Sequence, residues 1–399
     1  MRFTHLFPAL AVLLIGCPKD PIKSAAGDAS EPSIWATADE EPTRRVPDGW
    51  HHMDLPTGVS DVRPSSSLAT EDGSLWIAGS AVKIAQHQWL LRAPVLEEPV
   101  QHVYDPGRII YISSNETGGV AAVGVLGGIP SDKAWFGSID AFGETSSRQT
   151  YLSTGSGQLR GIHPDDASLI LVGTVSKGVG DSGWMIAADR DGSDTWKRTY
   201  GEDGQYALNW VHQEADGIVA LGTRRTTDGT DEAWFLRTDR DGQVSAERTW
   251  QSKTWSQLTT GIAHSSGDIL AAGLVSPSQF GADDGEASLW IGRLNRATGT
   301  PAWDRIERED VSELSMAVSW KDGLAIVART GGIGTLDRRT WLVRSSSAGE
   351  VTWTELNVPS DVDYAAVHPQ AQETLQLVAV ITDEMGVSWT LYPLELNNE

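Results

Sequence analysis

With 399 residues, 40% of them hydrophobic, the chain is long enough to bury a sizeable core without cross-links. Its 31 Lys and Arg against 54 Asp and Glu give a formal net charge of −23. Such a surface excludes nucleic acid as a partner, which needs basic patches, and disfavours direct adsorption to anionic lipid headgroups. The one cysteine, Cys17, excludes disulfides, cysteine-based zinc sites and thiol catalysis elsewhere in the chain.

Residues 1–16 predict a signal peptide. Arg2 supplies the positive start, and Leu6 to Gly16 form an apolar run broken only by Pro8, too short for the ~20 residues of a membrane-spanning helix. The run ends in Leu14-Ile15-Gly16-Cys17, which resembles the lipobox of bacterial lipoprotein precursors. That resemblance implies diacylation of the Cys17 thiol, cleavage just before it and acylation of the new N-terminus. Two or more acyl chains then hold the protein at a membrane without a spanning helix. Pro18 follows Cys17, so the Asp that retains lipoproteins in the inner membrane of enteric bacteria is missing. The expected location is the bacterial cell envelope, at the outer membrane rather than the inner. Residues 17–46, the lipidated cysteine and a stretch rich in Pro, Ser, Ala and charge, read as a disordered tether. Its reach is roughly 30 Å.

Residues 47–399 are a repeat with a period near fifty. Trp89, Trp135, Trp184, Trp234, Trp290, Trp341 and Trp389 are spaced 46, 49, 50, 56, 51 and 48 apart, and each opens a short apolar strand. Ahead of each lies a strand of small and β-branched residues ending in Gly79, Gly124, Gly173, Gly222, Gly273, Ala328 or Ala379. A turn such as Asp189-Arg-Asp-Gly192 and a fourth strand follow. A shorter apolar segment (IIYIS, LRGIH, LNWVH) then begins the next unit. Four short strands per fifty residues predict an all-β fold, a seven-bladed β-propeller of four-stranded antiparallel blades. Strands buried on both faces explain the continuous apolar runs. The last repeat stops too soon for a fourth strand, yet residues 50–59 match 353–362, with Trp first and Pro six residues on. Residues 48–55 are therefore expected to pair with Val387–Leu396 and close the last blade.

The repeat resembles bacterial β-propeller repeat families. The matching residues are Asp132 with Trp135, Asp181 with Trp184, Asp231 with Trp234, and Asp189 to Gly192 with Trp196. Asn295 to Gly299 with Trp303 further resembles the tryptophan-docking motif of quinoprotein-type propellers. The first and the last two repeats lack parts of these patterns.

Three residue sets invite functional readings. Eleven of the 17 Trp fall in two strand columns, the seven above and Trp50, Trp196, Trp303 and Trp353, a recurrence expected of packing between blades more than of sugar stacking. His163, His212, His264 and His368 form a column on the innermost strands, with Arg63, Ser113 and Ser319 in the other repeats. Seven-fold related imidazoles lie too far apart for metal bonds near ~2 Å, so a structural role is expected. The Asp189 and Asp239 turns lack the further oxygen ligands of a calcium loop and read as hairpins. No nucleophile elbow or His-Glu-x-x-His motif is present, and no catalytic residue, metal or cofactor is expected. The expected function is a non-catalytic, membrane-anchored binding or scaffold propeller with a protein partner in the envelope. A glycan-binding lectin is the first alternative, and a degenerate quinoprotein or hydrolase propeller the second. The longest link between second and third strands, Val275 to Ser288, carries Phe280, Asp283, Asp284 and Glu286 and is the expected partner-binding loop.

Overall fold

The apolar runs and turn residues of the repeat form strands throughout residues 50–394. A computed structural model describes these residues apart from loop stretches, the longest being 128–131, 278–286 and 332–336. The signal peptide, Cys17 and tether lie outside the described residues, as do Phe280, Asp283, Asp284 and Glu286. The chain divides into Met1–Arg45 and Val46–Glu399, and only the second unit is described below.

Among the described residues there are strands and turns but no helix. The first strand is β1 (His51–Asp54). Then follow β2 (Asp61–Ala69), β3 (Leu75–Val82) and β4 (Gln86–Ala93), paired antiparallel with the first half of β5 (Val100–Ser114). The second half of β5 pairs with β6 (Val120–Leu126), and then come β7 (Lys133–Ile139) and β8 (Thr145–Thr150). The next antiparallel unit is β9 (Ser156–Pro164), β10 (Ser168–Ser176), β11 (Asp181–Asp189) and β12 (Asp194–Tyr200). After it stand β13 (Gln205–Glu214), β14 (Gly217–Arg225), β15 (Asp231–Thr238) and β16 (Val244–Trp250). The following unit is β17 (Trp255–Ala263), β18 (Ile269–Ser276), β19 (Ser288–Leu294) and β20 (Pro301–Glu307). Then β21 (Val311–Leu314) and β22 (Val318–Trp320) share one edge of β23 (Gly323–Thr330), which pairs with β24 (Arg339–Ser345) and through it with β25 (Val351–Leu356). The chain ends with β26 (Tyr364–Gln370), β27 (Thr374–Thr382) and β28 (Gly386–Leu394).

The outer strand of that last sheet comes from the other end of the chain. β1 pairs antiparallel with β28, His51 opposite Trp389 and Asp54 opposite Gly386. Residues 51–54, within the expected segment 48–55, thus supply a strand where the likeness to 353–362 places one. One difference from the expected grammar is β5, a single continuous strand where two were expected. It passes from one sheet to the next at Pro106-Gly107, where Gly107 has φ 143°, a conformation that spares the unit a connecting loop.

Side chains alternate between the two faces of each strand, and here both faces are buried. On β10, Leu169 and Leu171 pack with Phe136 of β7, while Ile170 and Val172 pack with Leu208 of β13 and Trp234 of β15. Each apolar cluster is shared by successive sheets in this way. One of them joins the end of the chain to the beginning: Val378, Val380 and Trp389 pack with Val62, Leu75, Ile77 and Trp89. The Asp of the Asp-x-x-Trp pattern also links neighbours through the backbone. Asp181 pairs with Gln205, Asp231 pairs with Trp255, and the Asp132 carbonyl accepts from Gly157 N at 2.9 Å.

Aromatic side chains on or just after the fourth strand tie four of the repeats to the next sheet's turn. The hydroxyls of Tyr104, Tyr151 and Tyr200 donate to the carbonyls of Gly143, Gly192 and Gly242 at 2.7, 2.7 and 2.9 Å. Trp196 and Trp303 do the same with indole N–H groups, donating to Arg240 O at 3.1 Å and Ser347 O at 2.8 Å. The third-strand tryptophans are core: Trp89, Trp135, Trp184, Trp234, Trp290 and Trp389 are buried and Trp341 is half-buried.

Candidate functional site

The recurrent glycine that ends the second strand shapes the site. Gly79, Gly124, Gly173, Gly222 and Gly273 each stand opposite a β-bulge in the first strand of their sheet. A methyl group there would lie 2.1, 2.1, 2.0, 1.9 and 1.9 Å from the carbonyl oxygens of Arg63, Arg108, Gln158, Ala207 and Gln257. Only a residue without Cβ lets the backbones approach so closely. The two repeats with Ala instead differ accordingly. Opposite Ala379 the register runs on without a bulge, and opposite Ala328 the first strand is split into β21 and β22.

Each bulge leaves one residue out of the ladder and re-aims its side chain. The residues passed over are Ser65, Ile110, Arg160, Asn209 and Thr259, and all five line one cavity of about 520 Å³. Arg63, Arg108, Gln158 and Gln257, one step before the paired residue, line it too. So do Leu314 after β20 and Tyr364 of β26, so the first strand of every sheet contributes. Tyr111, Asn209 and Met316 also line a second cavity of about 330 Å³, with His163, His212 and Ser113. The two cavities therefore share part of their lining; the first is an arginine-lined mouth and the second carries histidines.

The arginine mouth is electrostatically lopsided. Arg63, Arg108 and Arg160 line it and no Asp or Glu does, in a chain with 54 carboxylates. Arg160 donates to Asn209 Oδ1 at 3.1 Å, and Arg108 donates to Gln158 Oε1 at 3.0 Å. Arg63 pairs with Asp61 at 2.9 Å. Burial first, and then the Arg108 charge, pull the Arg160 guanidinium below its ordinary pKa, with Asp181 opposing. Tyr364 is pushed up to about 12 by burial, and Tyr111 is raised by the same cause.

The histidine column is only partly real. Counted from the glycine, His163, His212 and His368 share one register position, as does Ser113. Ile262 holds it in the fifth repeat, Leu68 in the first and Val318 in the sixth, so His264, Arg63 and Ser319 do not belong. The likeness of LRGIH to TGIAH runs two residues out of register: Leu258, not Thr260, pairs with the strand-ending glycine as Leu159 does, so Ile262 matches His163. His264 sits in its own hairpin turn, its Nδ1 at 2.8 Å from Ser266 Oγ. His163 meets His212 edge to face at 4.6 Å, and His368 Nε2 lies 2.8 Å from Ser67 Oγ. Burial, with the His212 charge second, holds His163 at about 4; burial alone holds His368 at about 4. Among the described residues no three His, Cys, Asp or Glu side chains converge to hold a metal ion. The Asp189 turn closes on itself, Gly192 N donating to Asp189 O at 2.9 Å and Ser193 N to Asp191 Oδ1 at 2.9 Å.

Sequence reasoning missed the arginine mouth. Its signal was available as an offset: each bulge residue stands 13 or 14 residues before the strand-ending glycine, a position that recurs although no side chain repeats there.

No protein-family model and no curated protein matches the chain. Solved structures do. A catalytically inactive virginiamycin B lyase from Staphylococcus aureus, crystallised with quinupristin, is similar at 12% identity and a TM-score of 0.52, covering 85% of this chain and 98% of that one. Extracellular domains 1–2 of Drosophila semaphorin 1b align at 7% identity and a TM-score of 0.47, over 85% of this chain and 86% of that one. The likeness is one of fold, and with the succession of antiparallel strands it makes this chain a β-propeller.

Proposed function

We propose that the chain is a seven-bladed propeller serving as a non-catalytic binding scaffold, held at a bacterial envelope membrane by acyl chains on Cys17. The observation that carries this reading is the convergence of one strand from every sheet on a single polar passage. The apolar cluster joining the last sheet to the first supports a closed ring. A ring of this kind offers rigid rims on which loops are displayed, and loops on rigid scaffolds are where binding concentrates. The net charge of −23 suits a partner with a basic or neutral surface. Burial of six of the seven third-strand tryptophans, all but the half-buried Trp341, weighs against the lectin alternative.

The loop carrying Phe280, Asp283, Asp284 and Glu286 is proposed as part of the partner surface. Deleting residues 278–286 is expected to leave the melting temperature nearly unchanged and to reduce cross-linked partner protein in membrane extracts; unchanged capture removes the loop from the reading. Cys17→Ser is expected to abolish labelling by radioactive palmitate and release the protein from the membrane fraction. Label retained in that variant overturns the anchor. Binding on a glycan array, with no protein captured, would favour the lectin.

A further inference from the structure

We propose that the arginine mouth of the passage is a binding site for a small organic oxyanion, a polycarboxylate or a phosphate ester. The inference rests on the closed ring proposed above but not on the lipid anchor or the partner loop.

The cavity, about 520 Å³, is of the size that holds a small organic ligand. Basic residues are outnumbered by acidic ones in this chain, 31 to 54, yet three arginines and no carboxylate line the mouth. Among the described residues neither Arg108 nor Arg160 has a carboxylate within ion-pair distance; each guanidinium donates to a neutral side-chain amide instead, at 3.0 and 3.1 Å. Asp181 opposes the depression of the Arg160 pKa, and with Asp231 it lines a neighbouring cavity of about 210 Å³ that Arg160 also borders. Two like charges share the mouth, and a partly buried charge without a counter-ion is costly. An oxyanion between Arg108 and Arg160 would neutralise both and accept paired N–H bonds from planar guanidinium forks.

The surrounding groups fit the same ligand. Gln158 and Gln257 offer amides and Tyr111 a hydroxyl, while Asn209, whose Nδ2 donates to Leu258 O at 2.8 Å, and Tyr364, bonded to Ser67 Oγ at 3.2 Å, help shape the wall. Placement is also preorganised. The ladder fixes the backbone of Arg160 and Asn209 on either side of the bulge, and the Arg160–Asn209 bond at 3.1 Å holds their side chains, which lowers the ordering cost of binding.

The test uses the soluble chain beginning at residue 46, with citrate and pyrophosphate as probes at fixed ionic strength in isothermal titration and thermal melting. Saturable binding and a melting temperature raised by about 3 °C or more are expected for at least one probe. Arg160→Gln and Arg108→Gln should each weaken that binding at least about tenfold. Arg248→Gln, on the outer strand β16, should leave it unchanged. A response to citrate alone assigns a carboxylate ligand, and one to pyrophosphate alone a phosphate ligand. No saturable response to either probe, or equal weakening by Arg248→Gln, overturns the proposal. So does binding of a Glu-rich peptide alone, which would make the mouth a protein-docking site. If the ring itself is wrong, ligand-free Arg160→Gln will still melt as the parent does while a chain lacking residues 46–56 loses no stability, which separates that failure from failure of the site.

Discussion

His51, near the start of the described chain, stacks on Trp389, near its end, with ring centroids 5.6 Å apart and planes 23° from parallel. The two residues face each other in the β1–β28 ladder, and Met53 and Leu55 pack on the cluster that contains Trp389. Removing residues 1–56 is therefore expected to expose Trp389, shift its fluorescence to the red and lower the melting temperature by about 5–10 °C. Removing only residues 18–44 should change neither signal. Equal melting of the two truncated chains would show that β1 adds nothing to the fold.

The close approach at the bulges separates glycine from alanine positions. Gly222→Ala would push a methyl group against the Ala207 carbonyl, 1.9 Å away, and is expected to cost about 2–3 kcal/mol. Ala379→Gly, opposite a continuous register, should cost no more than about 1 kcal/mol. Urea unfolding of the two variants gives the comparison. Comparable losses would remove the bulge as the reason for glycine.

The tyrosine clasps between sheets should be measurable in two ways. Tyr200→Phe leaves the Gly242 carbonyl without its donor and is expected to cost about 1 kcal/mol, and Tyr151→Phe a similar amount at Gly192. Burial also raises the pKa of Tyr104, Tyr151 and Tyr200, most strongly among their causes. Alkaline titration at 295 nm should find part of the tyrosine absorbance unchanged at pH 11, until the fold is lost.

Acid should act through the buried imidazoles. His163 and His368 are held at about 4 in the fold, whereas an unfolded histidine titrates near ~6.5. Between those values the unfolded chain binds more protons, so stability rises with pH there and is lost as pH falls from about 6.5 towards 4. Above pH 7 these groups contribute no slope. Each is expected to contribute up to about 1.4 kcal/mol per pH unit within the window. His368→Asn should flatten the dependence of unfolding free energy on pH between 6.5 and 4.5, relative to the parent, at which point carboxylates begin to titrate too. An unchanged slope would place the acid sensitivity elsewhere.

Much of the strand order was legible in local residues. The seven-fold Trp spacing located the third strands, and the small-residue runs ending in Gly located the second ones. The likeness of 50–59 to 353–362 located the strand that pairs with β28. These signals survive in a single sequence because strand propensity, turn chemistry and burial on both faces are set by neighbouring residues.

The site depended on something local pattern does not carry. A bulge adds one residue to the first strand and shifts which side chains face the passage, so Arg160 and Asn209 line it, and the ladder, not the likeness of short segments, sets Ile262 rather than His264 level with His163. Arg63, Arg108 and Arg160 stand about fifty residues apart, and only the packing of sheet on sheet brings their guanidiniums to one mouth. The sequence by itself determined the repeat and the strands, because those follow from short-range chemistry. The tertiary structure decided which charges meet, because register at each bulge and the assembly of sheets fix distances between residues far apart in the chain.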